Sequence, residues 1–448
     1  MYKISKYTYF VNNEKGEIIF YNFLYQQLCK FDIESSEKIR DIFKNKNFDP
    51  NNIIVSELIK RKIIVNVDCD EQAISDSEFY KTITNRGYLG YIIYPTMNCN
   101  FNCPYCYQEH ENLTMTDEIV ESIIKHARKN ISKFRGIGLM WFGGEPLLKM
   151  NIFWKLSSEL KKICYNRKRF FEANVTTNGY FLNLENFKKM IDLNTKKITI
   201  TLDGRKPIHD KQRRLVSGKG SYETIINQLL EIKKISKNIN FSINIRSNVS
   251  LEAYDDLEEY VKEMHHLFGD DRRFSFSFRP VYDWGGERIE KFKSNIISDN
   301  KEKNIYKRLY EIGIPLNYWQ HYEEIMTSSV CYACRNYFYA VEANGKISKC
   351  TSADKREENF YVGELKPDGT MNLNNELISK WGSRYTNRED CKNCFFESNC
   401  SSNFCLHDKV LYNSTQAKCP RAKKEIDYYI LLLDQSNELY PYIEKINL

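Results

Sequence analysis

Short apolar runs alternate with longer amphipathic runs between residues 88 and 279 of the chain. The short runs have the pattern of buried strands and cover Tyr88–Tyr94, Gly138–Phe142, Phe171–Thr176, Lys197–Leu202, Asn240–Arg246 and Arg273–Arg279. The amphipathic runs have helical spacing and cover Asp117–Ile131, Ile152–Tyr165, Leu184–Leu193, Tyr222–Ser236 and Leu251–Leu267. Strands joined through helices pair in parallel, so six such repeats predict an α/β fold, a partial (β/α)6 barrel of the TIM type.

A smaller pattern precedes the barrel. Two alternating runs around a polar turn predict a hairpin, and two helical patterns and a further strand follow it. In order, these elements are Tyr7–Val11, Glu17–Tyr21, Ser36–Phe43 with Ser35 as a cap, Asn52–Arg61 and Lys62–Val67. Their order and size predict a small winged-helix-like α+β module. The acidic, polar stretch Asp68–Glu78 is expected to be a linker.

The last third of the chain is organised by cysteine. From about Ser329 onwards the cysteines are Cys331, Cys334, Cys350, Cys391, Cys394, Cys400, Cys405 and Cys419. Little regular structure is predicted between them and the apolar content is thin, so we expect a domain folded around metal. The chain is therefore expected to contain four parts, at residues 1–78, 79–328 and 329–425, with a C-terminal helix at 426–448.

Composition narrows the setting of the protein. The chain has 448 residues with 14 cysteines and a formal net charge of +7, and its acidic and basic residues are interspersed. A mixed surface of this kind favours neither nucleic acid nor a membrane as a partner. No apolar run has membrane-spanning length and no apolar signal segment is present, so a cytoplasmic location is expected. In a reducing compartment, clustered cysteines are more often metal ligands than disulfides.

Three cysteines follow the first predicted strand, at Cys99, Cys103 and Cys106. Their Cys-x3-Cys-x2-Cys spacing brings three thiolates close together, without a fourth cysteine at a ligand-like spacing. A structural zinc site needs a fourth ligand, and His110 is the nearby candidate, although a surface position suits that residue better. Three thiolates suit a cubane [4Fe–4S] cluster with one iron that has no protein ligand, which leaves an open position for a reaction.

Unusual residues follow the other predicted strands as well. They are Gly143-Gly144-Glu145-Pro146, Thr177-Asn178-Gly179, Asp203-Gly204, Arg246-Ser247-Asn248 and Arg279-Pro280. The carboxyl ends of barrel strands meet at one face, where barrel enzymes hold their reactive residues. Six such strand ends in register predict a single site.

With these motifs the chain resembles the radical S-adenosylmethionine (SAM) enzymes. The resemblance rests on the cysteine run with Tyr105 before its third cysteine, on the strand-end motifs, and on Leu202-Asp203-Gly204 and His209-Asp210-x2-Arg213. The cysteine-rich part resembles a SPASM domain, which carries two auxiliary [4Fe–4S] clusters. Both resemblances together cover roughly residues 88 to 425. They imply SAM and three [4Fe–4S] clusters as cofactors, with flavodoxin or ferredoxin as the electron donor.

The resemblance also implies roles for individual residues. Cys99, Cys103 and Cys106 would bind the cluster whose free iron chelates SAM, and reductive cleavage of SAM would release a 5′-deoxyadenosyl radical. The residues expected around SAM are Tyr105 at the adenine, Gly143, Gly144 and Glu145 at the amino group, Thr177, Asn178 and Asp203 at the ribose or carboxylate, and Arg213 and Arg246 at the carboxylate. The alternatives are an Asp-Gly turn for Asp203 and ordinary salt bridges for the arginines. No catalytic residue is assigned.

The eight later cysteines would divide between two auxiliary clusters. The family pattern implies one set of Cys331, Cys334, Cys350 and Cys405, and an outer set of Cys391, Cys394, Cys400 and Cys419. The chain departs from that pattern at Phe404, since the cysteine expected there stands one residue later. In another arrangement Cys331 or Cys334 is not a ligand, which leaves an iron open to a substrate thiol.

Two groups of SPASM enzymes are candidates for the activity. Peptide maturases often carry an N-terminal leader-recognition (PqqD-like) domain, which residues 1–78 resemble in size and element order. Anaerobic sulfatase maturases begin the cysteine loop near the N-terminus and have Asp where this chain has Thr351. We therefore expect an enzyme that crosslinks a leader-bearing precursor peptide through thioether or carbon–carbon bonds. The alternatives are a sulfatase-maturase-like protein-modifying enzyme and a non-enzymatic zinc-stabilised binding protein.

Overall fold

The computed structural model describes residues 1–283, 287–298, 305, 307–309, 311–314, 330–352, 359–384, 389–400, 410, 423, 426–436 and 443–446. Contacts divide the chain into two compact units. The first unit consists of Met1–Thr84, Gln320–Arg335 and Lys380–Leu448, and the second of Asn85–Trp319 and Asn336–Ser379. The four-part division of the chain stays a prediction.

The N-terminal part of the first unit contains five strands and three helices. They are β1 (Tyr2–Ile4), β2 (Thr8–Asn12), β3 (Ile18–Asn22), β4 (Gln27–Phe31), α1 (Ile33–Asn45), α2 (Ile53–Lys60), β5 (Ile64–Asn66) and α3 (Glu71–Ile83). Strands β2, β3 and β4 pair antiparallel, and β1 pairs with β5. The predicted hairpin is confirmed: Asn13 Oδ1 accepts hydrogen bonds from the Lys15 and Glu17 amides, and Gly16 has a φ of 84°. Such a positive φ suits glycine.

Two predictions for this part were wrong. Helix α1 begins at Ile33 because Asp32, and not Ser35, caps it through a 2.9 Å bond from the Ser35 amide. The expected linker is largely helix α3, which Asp70 caps. The buried positions of α3 are four residues apart and half of them are polar, namely Glu71, Ser75, Phe79 and Ile83. A buried stripe that is half polar gives no hydrophobic periodicity in the sequence. Its polar members can be buried because hydrogen bonds within the fold satisfy them.

The second unit contains the predicted partial barrel, which is confirmed. Its parallel strands are β6 (Tyr88–Ile93), β7 (Gly136–Trp141), β8 (Phe170–Thr177), β9 (Thr195–Thr201), β10 (Ser242–Val249) and β11 (Phe274–Pro280), adjacent in that order. The helices between them are α4 (Asp117–Asn130), α5 (Met150–Asn166), α6 (Leu184–Asp192), α7 (Lys206–Gln212), α8 (Tyr222–Lys233), α9 (Leu251–Asp255) and α10 (Leu257–Phe268), and α11 (Glu287–Glu290) follows β11. The last predicted amphipathic run thus consists of two helices, because the helical conformation is interrupted at Asp256.

The sheet continues beyond the barrel with strands that the sequence pattern did not indicate. Strand β12 (Phe338–Val341) pairs parallel with β6, and β13 (Lys346–Ser348), β14 (Tyr361–Leu365) and β15 (Met371–Leu373) follow antiparallel. At Gly90 a Cβ atom would lie 1.9 Å from the Phe338 ring, so glycine in β6 is what allows β12 to dock. The expectation of little regular structure in the cysteine-rich part is wrong for these residues.

The remaining described elements are α12 (Asn375–Gly382), α13 (Glu389–Lys392), α14 (Ile426–Ser436) and β16 (Glu444–Ile446). Strand β16 pairs parallel with β4, so the sheet of the first unit has the order β16-β4-β3-β2. The expected C-terminal helix therefore ends at Ser436 and a strand follows it. Apolar residues from both ends of the chain share one buried core, among them Tyr21, Phe23, Phe396, Ile430 and Leu433. Among the helices of the described residues, none combines the length and apolar character needed to cross a membrane.

Candidate active site

A cavity of about 390 Å³ opens at the carboxyl ends of the barrel strands. Its size falls in the range of small-molecule sites. All three cysteines of the first run line it, and so do eight of the nine residues expected around SAM: Tyr105, Gly143, Gly144, Glu145, Thr177, Asn178, Arg213 and Arg246. The ninth, Asp203, is fully buried and bonded to Tyr105. The fold thus brings the barrel residues predicted from sequence to one place.

Backbone hydrogen bonds hold the cysteine loop against the residues that follow β7 and α7. The Gly144 amide donates to Thr96 O at 3.1 Å, the Glu145 amide donates to Asn98 O at 2.8 Å, and the Asn102 amide donates to Arg214 O at 2.9 Å. The glycine after β7 is needed for this approach, since a Cβ on Gly144 would lie 2.2 Å from Asn98 O. The close approach that the glycines permit is therefore that of the cysteine loop itself.

Of the three thiols, Cys103 is buried and Cys99 and Cys106 are half-buried, and all three line the same cavity. Burial raises the pKa of Cys99 and of Cys103 to about 12 each, and it also raises the pKa of Cys106. Iron binding would displace these protons, since thiolates are the ligands. Within the described ranges, no three side chains of the metal-binding types converge on a single ion position. The assignment of these thiols to a [4Fe–4S] cluster stays a prediction.

Glu145 organises the end of β7. Its carboxylate is 1% exposed and accepts hydrogen bonds from the Leu147 amide at 2.9 Å, the Thr177 hydroxyl at 2.7 Å and the Asn178 amide at 2.7 Å. Burial raises its pKa, and the three donors oppose that shift. A carboxylate has about four acceptor positions, so one remains for a ligand. The Asn178 side chain also donates to Asn100 Oδ1 at 2.8 Å, which ties β8 to the cysteine loop.

Tyr105, Asp203 and Arg213 form a polar cluster at the cavity wall, which we call the site triad. The Tyr105 hydroxyl donates to the Asp203 carboxylate and accepts from Arg213 Nη1 at 2.8 Å. The Asn248 amide donates to Asp203 Oδ1 at 2.8 Å, whereas Arg213 approaches Asp203 Oδ2 only to 3.9 Å. Asp203 is therefore more than an Asp-Gly turn, because it fixes Tyr105 from a different strand end.

His209 and Ser221 connect the backbone of Asp203 to the backbone of Arg213 and so position Arg213. The Asp203 amide donates to His209 Nδ1 at 3.2 Å, His209 Nε2 lies 3.0 Å from Ser221 Oγ, and that hydroxyl donates to Arg213 O at 2.8 Å. Burial lowers the pKa of His209 well below its usual value, so the ring is neutral. With Nδ1 accepting, the proton is on Nε2. The sequence motif contained His209, but nothing in its spacing revealed this role.

Further cavity residues were not among those assigned from sequence. Asn248 and Arg279 stand at strand ends that the sequence had singled out, and Arg279 pairs in register with Asn248. Together with Arg213 and Arg246, Arg279 gives the cavity three guanidinium groups. His110 also lines the cavity, which corrects its expected place on the surface. Its ring nitrogens lie 3.6 Å from Cys106 Sγ and 3.3 Å from Arg288 Nη1, and burial together with the Arg288 charge lowers its pKa to about 4.

The later cysteines belong to different parts of the fold. Cys350 follows β13 in the second unit, whereas Cys331, Cys334, Cys391, Cys394 and Cys400 belong to the first. A short turn connects Cys331 to Cys334, and another connects Cys391 to Cys394. In each turn the amide of the second cysteine donates to the carbonyl oxygen of the first. Cys405 and Cys419 lie outside the described residues. The ligand sets of the two auxiliary clusters stay a prediction.

Comparison with known proteins identifies the domain that contains this cavity. The family model of the radical SAM superfamily matches residues 93–264. A cysteine-type anaerobic sulfatase-maturating enzyme of Clostridium perfringens is 24% identical over 68% of this chain and 86% of its own length. The radical SAM cyclopropyl synthase TigE of Paramaledivibacter caminithermalis is 23% identical over 90% of this chain and 89% of its own. Coverage is uneven, since the chain spans 50% of the matched GTP 3′,8-cyclase of Nautilia profundicola.

Solved structures give the same fold. The structure titled native anSMEcpe with bound AdoMet covers 78% of this chain and 97% of its own, with 18% identity and a TM-score of 0.58. Streptococcus suis SuiB bound to its precursor peptide SuiA covers 94% of this chain and 98% of its own, with 13% identity and a TM-score of 0.50. At these identities the likeness concerns the fold alone. Residues 93–264 of the chain therefore form a radical SAM domain, the catalytic domain of enzymes that use SAM and a [4Fe–4S] cluster.

Proposed function

We propose that this enzyme is a maturase that crosslinks a ribosomally made precursor peptide through a thioether or carbon–carbon bond. The observation that carries the radical chemistry is the cavity at the strand ends, which is lined by three cysteines, the Glu145 carboxylate and three arginines. When bound, the reduced cluster and SAM supply a 5′-deoxyadenosyl radical that takes one hydrogen atom from the peptide. Loss of a second hydrogen, as a proton and an electron, then accompanies formation of the crosslink.

The residues of the cavity would bind and orient SAM. The free acceptor position of Glu145 suits the amino group of its methionine part, and the Arg213 and Arg246 guanidinium groups suit its carboxylate. Tyr105, held by Asp203 and Arg213, would contact the adenosine. Orientation of this kind lets the radical form next to the substrate, which limits competing reactions.

A peptide substrate is supported by the sheet of the first unit. Its edge strands are β2 and β16, and an extended leader would bind by adding a strand at such an edge. The edge beside β4 is occupied by the chain's own β16. Leader binding would therefore use the outer edge of β2 or take the place of β16. The solved neighbours support a polypeptide substrate, since SuiB was solved with its precursor peptide SuiA and anSMEcpe with the Cp18Cys peptide.

Sulfatase maturation is the second candidate, favoured by the match to the Clostridium perfringens enzyme. Two features favour a precursor peptide instead. Residues 1–84 form a folded part that precedes the barrel in the sequence. Thr351 follows Cys350, at the position where sulfatase maturases have aspartate. The two candidates are tested side by side with a sulfatase peptide that contains the target cysteine or serine.

The clusters themselves are part of the proposal. Cys99, Cys103 and Cys106 would hold the SAM cluster, and the eight later cysteines would hold two auxiliary clusters that accept the second electron. Anaerobically purified protein should then be brown and contain about twelve irons, three clusters of four. About four irons would indicate that the SAM cluster is present without the auxiliary clusters. Colourless protein that contains zinc would contradict radical chemistry.

The decisive experiment is anaerobic incubation with SAM, a reductant and the precursor peptide encoded beside the enzyme. We expect 5′-deoxyadenosine and a product about two mass units lighter, from the loss of two hydrogen atoms. A core peptide without its leader serves as the matched control and should react more slowly. 5′-Deoxyadenosine with unchanged peptide mass would contradict crosslinking, and solvent deuterium in that peptide would indicate epimerisation.

A further inference from the structure

We infer that His110 donates a hydrogen bond to the Cys106 thiolate and thereby raises the reduction potential of the cluster held by the cysteine loop. The inference rests on the proposed assignment of Cys106 as a cluster ligand. It gives a function to a cavity residue that is neither a cluster ligand nor part of the proposed SAM contacts.

The direction of this hydrogen bond follows from the neighbours of the imidazole. His110 Nε2 lies 3.6 Å from Cys106 Sγ, and His110 Nδ1 lies 3.3 Å from Arg288 Nη1. A guanidinium group only donates hydrogen bonds, so Nδ1 must be the acceptor. A ring that accepts at Nδ1 carries its proton on Nε2, the nitrogen that faces the sulfur. Arg288 is thus a positioning residue that selects the tautomer.

The same tautomer argues against His110 as a fourth ligand. Metal binding uses the lone pair of a neutral imidazole nitrogen. With Nδ1 occupied by Arg288 and Nε2 protonated, neither nitrogen of His110 has a lone pair to offer an iron. The free iron of the cluster therefore stays available to SAM.

A hydrogen bond to a ligand sulfur changes the potential because it withdraws negative charge from the cluster. The reduced state carries one more electron and gains more from the donor, so the potential rises. Other donors reach the sulfurs of this loop as well. Cys99 Sγ accepts from the Phe101 amide at 3.4 Å and from Asn178 Nδ2 at 3.9 Å, and Cys106 accepts from the backbone of Gln108. The two backbone donors are present with any side chain, and Asn178 acts on a different cysteine. His110 is a contribution that a side-chain substitution removes.

The test is a redox titration of reconstituted wild-type, His110→Phe, His110→Gln and Arg288→Met protein. It follows the electron paramagnetic resonance signal that changes when SAM is added, which separates this cluster from any auxiliary cluster. In His110→Phe, which keeps a ring and loses the donor, the reduction equilibrium constant should fall about threefold or more, equivalent to about 30 mV for one electron. His110→Gln, which keeps an N–H donor, should recover most of the loss. Arg288→Met should show a smaller shift in the same direction, because either tautomer is then allowed.

Each result decides the inference. Equal potentials in wild type and His110→Phe, at equal iron content, would overturn it. So would a His110→Gln protein that behaves like His110→Phe, because donation would then not be the cause. If His110→Phe does not assemble a cluster, an unshifted potential in Arg288→Met overturns it instead. A wild-type protein without any SAM-responsive signal would refute the ligand assignment, and the inference would fall with it.

Discussion

Each unit of this enzyme contains a buried tyrosine, carboxylate and arginine in contact, and the two sets differ in what they leave unsatisfied. The second set, which we call the fold triad, consists of Tyr7, Glu397 and Arg384. In the fold triad the Tyr7 hydroxyl donates to Glu397 at 2.7 Å and Arg384 Nη2 contacts the same carboxylate at 2.7 Å, with both charged side chains 3% exposed. In the site triad Arg213 donates at 2.8 Å to the tyrosine hydroxyl and comes only within 3.9 Å of the carboxylate.

The remaining bonds of the two arginines make the difference clear. Arg384 also donates to Asp76 at 2.7 Å, to Ser75 at 2.8 Å and to Glu397 O at 3.3 Å. Arg213 donates one side-chain hydrogen bond within the described residues, lies 5.5 Å from the Phe101 ring centroid and lines the cavity. A buried guanidinium with unused donors at a cavity wall is suited to an anionic ligand group, whereas a largely paired one stabilises the fold. Composition alone would not separate the two sets.

The largest expected effect is loss of the cysteine loop's function. Replacement of Cys99, Cys103 and Cys106 by alanine should abolish 5′-deoxyadenosine formation, because the radical SAM cluster then has no protein ligands. Precursor binding to the first unit should persist in this variant. Liquid chromatography measures the nucleoside and fluorescence anisotropy measures peptide binding. Loss of peptide binding would mean that the two units do not act independently.

The next effect compares the two arginines directly. Arg384→Met should lower the free energy of unfolding by about 3–5 kcal/mol, because Glu397 is left as a buried charge without its partner. Affinity for SAM should be unchanged. Urea denaturation and calorimetric SAM titration measure the two quantities. Glu78→Gln, which breaks an exposed pair with Lys81, is the matched control and should change neither.

Arg213→Met should show the opposite pattern. Affinity for SAM should fall about 10- to 100-fold, from the about 1.5–3 kcal/mol of a hydrogen bond to a charged group. Stability should fall by less than in Arg384→Met, since Asp203 keeps its bonds from Tyr105 and the Asn248 amide. The same titration and denaturation measure both. If Arg213→Met destabilised the protein as much as Arg384→Met and left SAM affinity intact, the distinction between the two triads would be wrong.

The smallest effect is a pH dependence that has opposite sign in the two units. Burial raises the pKa of Glu17, but hydrogen bonds from Asn13 and Lys30 outweigh it and hold that pKa below the usual 4.5. A depressed pKa contributes stability above the unfolded value that is lost as pH falls through the folded one. For Asp203 burial raises the pKa, so its contribution to stability decreases as pH rises from the unfolded value to the folded one.

Urea denaturation between pH 7 and 3 tests the first half of this statement. The first unit should lose stability below pH 4.5, and Glu17→Gln should flatten that dependence. Glu34→Gln is the control, because Glu34 is 75% exposed in its pair with Lys38. An unchanged slope in Glu17→Gln would show that the Lys30 pair does not contribute to the pH dependence.

The sequence by itself determined the barrel, the cysteine loop and the residues at the strand ends. Alternation of apolar strands and amphipathic helices reports burial locally, so β6 to β11 were predicted within a few residues of their bounds. Glu145 stands shortly after β7 and Asn178 directly after β8, which was enough to predict both in one site, because parallel strands end at one face. Three closely spaced thiolates indicated a cluster, because this information lies within a short stretch of the sequence.

The tertiary structure alone decided how distant polar groups meet. Helix α3 is half polar on its buried side. Its polar residues can be buried because distant partners form hydrogen bonds with them, such as Glu397 more than three hundred residues later. Docking of β12 onto β6 depends on Gly90 meeting Phe338, and β16 completes a sheet begun at residue 8. The tautomer of His110 depends on Arg288. No local pattern encodes such pairs, because hydrogen-bonding groups specify what partner they need but not where in the chain it lies.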